Sequence, residues 1–338
     1  MKLYGGIDLH SNNIVLSILD EQAHLVFEHR LPNDLKLILS ELASFNSELT
    51  GLVVESTYNW YWLVDGLMEA GYCLHLANTT AIQQYSGIKY ADDITDARWL
   101  AELLRLGILK EGYIYPREER AMRDLLRKRL QLTHQRTAQL LSIQSLLART
   151  RGRQLGGDTI KKMTQETLGQ QFDRPEWALA AQSNLAVLHC LEEQIDLIEK
   201  TVLAQVKPRV EYQDLQTVNG VGKVLGLTIL LETGTIHRFP GVGNYASYCR
   251  CVGSIKTSNG KKKGKGNTKN GNKYLGWAFV EAANFAIRFN PVIKAFYQRK
   301  LVKRNKIVAI KAVAHKLARA CYYILRDHVP FDVNRSFG

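Results

Sequence analysis

"KLYGGIDLHSNNIVLSILDEQAHLVFEHRL", residues 2–31, holds three apolar runs separated by short polar breaks. Each run is too short for a globular helix and rich in β-branched or aromatic residues, so each predicts a strand. The strands are "KLYGGIDL", "NIVLSILDE" and "HLVFEHRL", with short turns at Asn12-Asn13 and Gln22-Ala23. A helix is expected through "DLKLILSELASF". "TGLVVEST" then has the composition of a strand buried on both faces of a sheet. A helix carrying Trp60, Leu63 and Leu67 follows, and "GYCLHLAN" reads as another strand. Three consecutive strands, then helix, strand, helix, strand, predict a mixed sheet covered by helices.

The composition narrows the partners. The chain has 338 residues, 46% of them apolar, which is enough for more than one buried core. Its formal net charge of +13 makes a polyanion the default partner, nucleic acid before an anionic membrane surface. No apolar run reaches the ~18 residues a membrane span needs. "MKLYGGIDLHSNN" lacks the long apolar stretch of a secretion signal. The five scattered cysteines fit a reducing cytoplasm better than a disulfide framework.

Residues 117–205 change character and read as charged helix. Leu188, Leu191, Ile195, Ile198 and Val202 alternate steps of three and four, the seam of a coiled coil. Met122, Leu126 and Leu130, then Leu140, Ile143 and Leu147, predict a partner helix, and "RGRQLGGD" separates the two. An intramolecular helical hairpin and a coiled coil that also dimerises satisfy this pattern equally.

From residue 213, "LQTVNGVGKVLGLTILLETG" places Gly220-Val221-Gly222 between two helical runs. A glycine turn there gathers backbone N–H groups that can hold a DNA phosphate at a helix N-terminus, the helix-hairpin-helix pattern. A turn that merely joins two packed helices is the plainer alternative. Lys223 follows directly. Then comes "GSIKTSNGKKKGKGNTKNGN", residues 253–272, with no acid in it. By composition it is a basic tether; its hydroxyls and lysines also suit a phosphate. A helix is expected from about Tyr274 to Phe289 and a last, basic one from about Asn290 to Arg326.

Four carboxylates stand out. Asp8 and Glu55 end apolar strands, and Asp93 and Asp96 stand three apart at a helix start, on one face. Hard cations such as Mg²⁺ take oxygen ligands from several elements. Two such ions about 4 Å apart activate the attacking oxygen and stabilise the leaving one at a phosphodiester. Each acid alone has a structural explanation, as a turn residue or a helix N-terminal acid; it is the set, in so basic a chain, that points to chemistry. Asp92 is the rival to Asp93, and His10 reads as a bystander.

The strand and helix order outlines a ribonuclease-H-like domain, and the motifs resemble a known group. "GIDLH", "VVEST" and "DDITDARWLAE" resemble the ribonuclease-H-like, RuvC-type catalytic domain of the DEDD transposases of the one-ten and eleven-eleven insertion-sequence class, which includes the Piv-type DNA invertases. "LQTVNGVGKVLGLTILLETG", "FPGVGNYASYCRCVG" and "TSNGKKKGKGNTKNGNKYLGWAFVEAA" resemble that family's C-terminal transposase domain. The resemblance implies an α/β RuvC-like domain at 1–115, a helical coiled-coil segment at 116–207, and a mainly helical transposase domain with a helix-hairpin-helix-like motif at 208–338.

It also implies a function: an RNA-guided DNA recombinase that moves an insertion sequence. A structured non-coding bridge RNA pairs with donor and target DNA in characterised members. Carried onto this chain, the acidic tetrad that holds Mg²⁺, as two ions, falls on Asp8, Glu55, Asp93 and Asp96. The family's nucleophilic serine falls on Ser258, with Ser254 as the fallback. The family pattern expects glycine after that serine; here Asn259 stands there and Gly260 follows. The expected nucleic-acid contacts are Gly220, Gly222, Lys223, Lys256, Lys261, Lys262, Lys263, Lys265, Lys269 and Asn272. The resemblance implies self-association, as a dimer and a synaptic tetramer, a site composed of acids from one protomer and serine from another, and a cytoplasmic, nucleoid-associated protein.

A serine hydroxyl needs a base or a metal to become a nucleophile. Attack by Ser258 on a DNA phosphodiester would leave a phosphoserine and a free 3′-OH. A RuvC-like junction endonuclease would use the same acids with water and no Ser258. A non-catalytic scaffold would need none of the four acids. "GKKKGKGNTK" lacks the spacing of a nucleotide-binding P-loop.

Overall fold

The computed structural model describes residues 1–82, 92–253, 256–264 and 270–338. It separates into two compact units, Met1–Arg117 and Glu118–Gly338. No helix among the described residues is long and apolar enough to cross a membrane.

The first unit is a five-stranded mixed sheet with helices on both faces. Its strands are β1 (Leu3–Leu9), β2 (Asn13–Leu19), β3 (Leu25–Pro32), β4 (Leu49–Glu55) and β5 (Leu74–Ala77), in the order β3-β2-β1-β4-β5. The first three pair antiparallel, as short turns between consecutive strands require. β4 lies parallel to β1, and β5 parallel to β4. Helices α1 (Leu35–Ala43) and α2 (Tyr61–Glu69) supply the crossovers. The side-chain period of two sorts each strand between the faces. Leu3 and Ile7 of β1, Ile14, Leu16 and Ile18 of β2, and Leu52 and Val54 of β4 join Ile38, Leu42, Leu63 and Leu67 in one core. Val53 and Ala77 meet Leu100 of α3 (Asp93–Arg105) on the other face.

In the second unit α4 (Arg117–Arg151) and α7 (Pro175–Val206) form an antiparallel pair. Arg129 meets Glu199, Arg136 meets Glu192, and Asn184 meets Ser142, so the numbers rise along one helix as they fall along the other. Within the chain the two helices thus run antiparallel. Leu126, Ile143 and Leu147 of α4 and Leu188, Ile195 and Val202 of α7 are buried, while Met122, Leu130, Leu140, Leu191 and Ile198 are half-buried. Short helices α5 (Gly157–Lys161) and α6 (Gln165–Gly169) close the far end through Ile160 and Leu168.

The rest of the unit packs α8 (Val210–Gln216), α9 (Lys223–Thr233), α10 (Val242–Tyr248), α11 (Lys273–Phe289), α12 (Pro291–Leu301), α13 (Lys306–Asp327) and α14 (Val333–Phe337) around one apolar core. Two features differ from the sequence expectation. The final helix expected from Asn290 to Arg326 is two helices, because Asn305 caps the start of α13 by accepting the Val308 N–H. The lysine-rich stretch contains a hairpin, β6 (Lys256–Ser258) and β7 (Lys261–Gly264).

Candidate active site

Ile7 pairs with Val54 in the parallel ladder, so the next residues, Asp8 and Glu55, leave the sheet side by side at the ends of their strands. That edge, beyond the carboxyl ends of parallel strands, is where open α/β sheets bind ligands. Both acids share the strand face on which α3 lies. Gly6, two residues before Asp8, brings the helix close: a Cβ there would fall 2.0 Å from the Ala97 carbonyl oxygen and 2.6 Å from the Ala101 nitrogen. Any side chain at position 6 would push α3 off the sheet.

The start of α3 is fixed by Asp92. Its Oδ1 accepts the Thr95 N–H at 2.8 Å and the Thr95 hydroxyl at 2.6 Å, the geometry of an N-cap. Asp93 and Asp96 then fall in the first turn. Two cross-links from α3 to β3 set the helix's rotation. Arg30 donates to Asp93 Oδ2 at 2.7 Å, and Arg98 grips Glu28 with two hydrogen bonds.

The electrostatics follow from this crowding. Asp8 is buried. Burial, a hydrogen bond to Asp8 and the charges of Asp8 and Asp96 push Glu55 up to about 7. Burial and then the charges of Asp8, Asp93 and Asp92 raise Asp96. Asp93 goes the other way, held low chiefly by its hydrogen bond from Arg30. The four acids are thus gathered at one edge, close enough that two of them resist ionising.

His10, set aside on sequence, belongs to this group. Its Nε2 lies 3.1 Å from Asp8 Oδ2 and 3.3 Å from Asp93 Oδ1, with neither in hydrogen-bond alignment. Donor atoms of Asp8, His10 and Asp93 all lie within 4.8 Å of one another. The His10 carbonyl accepts from Asn33 and Asn59, which fixes the backbone there. The signal was in the sequence: Gly6, Asp8 and His10 are spaced by two, which carries all three to one face of an extended chain.

This donor set fits a hard divalent cation. It offers carboxylate oxygens from β1, β4 and α3, and their mutual repulsion is what such an ion would relieve. Asp8, Glu55, Asp93 and Asp96 would hold it, with His10 at the rim.

In the second unit Ser258 ends β6 and pairs with Lys261 across a two-residue turn. Asn259 has φ +47° and Gly260 φ +69°. Positive φ at both positions defines a type I′ turn, whose preferred sequence is Asn-Gly. Asparagine tolerates the left-handed region best after glycine, so Asn259 meets the same backbone demand as the glycine expected there. Ser258, Lys261, Lys262 and Lys263 are all exposed. Lys256 lies in β6, while Ser254, Lys265 and Lys269 lie outside the described residues.

The remaining expected contacts divide. Gly222 is the N-cap of α9, with open space where a Cβ would be, and Lys223 is the helix's first residue and exposed. Gly220, at φ +87°, instead packs on α11: a Cβ would fall 2.2 Å from the Ala282 carbonyl oxygen. Asn272 caps α11 through its Oδ1, and its Nδ2 donates to Glu232 at 2.7 Å. Glu232 is buried and takes a two-pronged ion pair from Arg127 at 2.6 and 2.7 Å. Sequence reasoning missed this Arg127–Glu232–Asn272 link, since its members are far apart in the chain.

Two family models match the chain in this order. One, described as a transposase of the DEDD IS110 type, matches residues 5–151, which hold all four acids and His10. The other, described as a transposase of the IS116/IS110/IS902 family, matches residues 212–298, which hold the Ser258 hairpin and Asn272. None of the curated proteins matches the chain. A ribonuclease-H-like sheet with clustered acids, joined to a second transposase segment, defines an enzyme that cuts and rejoins DNA, so DNA is its partner. The chain belongs to the IS110 family of transposases.

Proposed function

We propose that this transposase is an RNA-guided recombinase that exchanges DNA strands through a covalent serine intermediate. The observation that carries the reading is the carboxylate cluster, with Glu55 raised to about 7 beside buried Asp8. Asp8, Glu55, Asp93 and Asp96 hold Mg²⁺, as two ions. When bound, Mg²⁺ supplies a Lewis acid that polarises the oxygens of the scissile phosphate. Arg30 keeps Asp93 ionised and oriented, with His10 beside it.

Ser258 is the nucleophile. Its Oγ forms a bond to phosphorus, the P–O3′ bond breaks, the serine proton is given up and the 3′ oxygen gains one. The products are a 5′-phosphoserine adduct and a free 3′-OH, so rejoining needs no hydrolysis and no external energy. Turn geometry supports this choice, because the I′ turn fixes the backbone at Ser258 while leaving its hydroxyl exposed. Lys261, Lys262 and Lys263 offset the phosphate charge. Base specificity resides in a structured guide RNA, which leaves the protein to bind backbone and shape.

The three-part division at 1–115, 116–207 and 208–338 remains part of the proposal, as does a RuvC-like identity for the first part. So does self-association through the helical hairpin, where Leu179, Val187 and Leu197 of α7 stay exposed at 65%, 46% and 58%.

The test is a denaturing gel of protein incubated with its labelled DNA. Wild type should shift label to a protein-sized band, and Ser258→Ala and Asp8→Asn should not. Cleavage that survives Ser258→Ala would mean a water nucleophile and a RuvC-like endonuclease instead. Sequencing the RNA that co-purifies from cells carrying the flanking DNA tests guidance separately; no discrete RNA would remove that part alone.

A further inference from the structure

The second unit gathers positive charge around a cavity of about 580 Å³ between α13 and the C-terminal segment. Lys316, Arg319 and Tyr323 share one face of α13, and Phe331 and Arg335 line the cavity with them. Among the described residues no carboxylate lies at ion-pair distance from Lys316, Arg319 or Arg335. Asp332, which also lines the cavity, has its carboxylate engaged as the N-cap of α14, accepting the Asn334 and Arg335 N–H groups. Lys316 is tied to the Ser336 carbonyl at 2.6 Å, and burial together with the charges of Arg319, Lys300 and Arg299 pushes its pKa down. The charge of Arg319 thus bears on Lys316 across the cavity wall, and an anion bound there would relieve it.

The lining is not only cationic. Tyr323 is exposed and Phe331 half-buried, so both offer ring surface at the cavity. Its volume falls in the range that encloses a small ligand rather than a flat backbone contact. A phosphate beside a planar ring system is a nucleotide. A duplex keeps its bases stacked inside and would leave only phosphates at the rim, whereas a single strand can splay a base onto an aromatic side chain. We infer that this cavity takes one splayed nucleotide of a single-stranded segment, its phosphate on Lys316, Arg319 and Arg335 and its base on Tyr323 or Phe331. The inference does not depend on Ser258 or the acids. DNA and RNA strands share this chemistry.

Fluorescence anisotropy on the full-length protein tests it, with labelled oligothymidylate, the matching oligouridylate and a DNA duplex. Arg319→Ala/Arg335→Ala should weaken single-strand binding by about tenfold. It should flatten the dependence of log affinity on log salt by about 0.7 for each phosphate the variant no longer neutralises. Duplex binding should stay nearly unchanged. Tyr323→Ala/Phe331→Ala should weaken single-strand binding without altering the salt slope. Loss confined to oligothymidylate assigns the cavity to DNA, and loss confined to oligouridylate assigns it to RNA. Unchanged single-strand binding, or equal losses for single strand and duplex, would overturn the inference. Should the variants misfold, photocrosslinking of 4-thiothymidine-substituted DNA and 4-thiouridine-substituted RNA strands to wild type decides it. Crosslinks are expected at Tyr323 or Phe331, and crosslinks confined to other segments would refute it.

Discussion

Glu55→Gln should make the metal-free protein more stable near pH 8 while abolishing its chemistry. An unfolded glutamate titrates near 4.5, and Glu55 in the folded chain titrates at about 7. Between those values the folded state keeps a proton that the unfolded state has lost, so raising the pH favours unfolding. The stabilisation is complete below 4.5, falls through the window to about 7, and is gone above it. At ~1.4 kcal/mol per pH unit the rise corresponds to roughly 3 kcal/mol. Glu55 is only half-buried, and solvent screening brings this to about 1–2 kcal/mol. For a unit of this size that is roughly 4–8 °C in Tm. Thermal unfolding in EDTA at pH 5 and pH 8 measures it. Wild type should lose that much more stability than Glu55→Gln over the interval, and Mg²⁺ at pH 8 should restore it in wild type only. Identical pH profiles, or a Glu55→Gln protein less stable than wild type at pH 8, would refute the crowded-carboxylate account.

Three further outcomes follow from the geometry. Gly6→Ala drives a methyl group into the backbone of α3, so urea unfolding should show a loss of about 1–3 kcal/mol, and cleavage should fall with it as Asp93 and Asp96 move. Asn259→Gly should retain full adduct yield on a denaturing gel, whereas Asn259→Val should cost about 1–2 kcal/mol at the turn and most of the yield, because φ there is +47°. Glu232→Ala leaves Arg127 and the Asn272 amide without their shared acceptor, and should lower stability by about 3–5 kcal/mol in chemical denaturation.

How far the sequence carried depended on whether a feature was local. β1 to β5 were legible because each is a short apolar run with turn residues at its ends, and strand order then placed Asp8 beside Glu55. The α4–α7 pair was legible from its seam, but whether it also dimerises was not, since an apolar stripe does not name its partner. The antiparallel run of Arg129–Glu199 and Arg136–Glu192 supplies the intramolecular pairing. Composition misled at 256–264. Lysine is a poor strand former, so the stretch read as a tether although Asn259-Gly260 is a strong hairpin signal. His10 was misjudged because sequence proximity to Asp8 was considered without the two-residue period that aligns them. Arg127, Glu232 and Asn272 meet only through tertiary packing, and nothing local in the chain marks them.

The central claim is that Ser258 becomes bonded to DNA. Digesting the trapped protein–DNA adduct and mapping the modified peptide by mass spectrometry tests this most directly. The nucleotide remnant should sit on Ser258 in a Mg²⁺-dependent reaction. A remnant on Ser254 or any other residue, or strand exchange that proceeds with no covalent adduct, would contradict it.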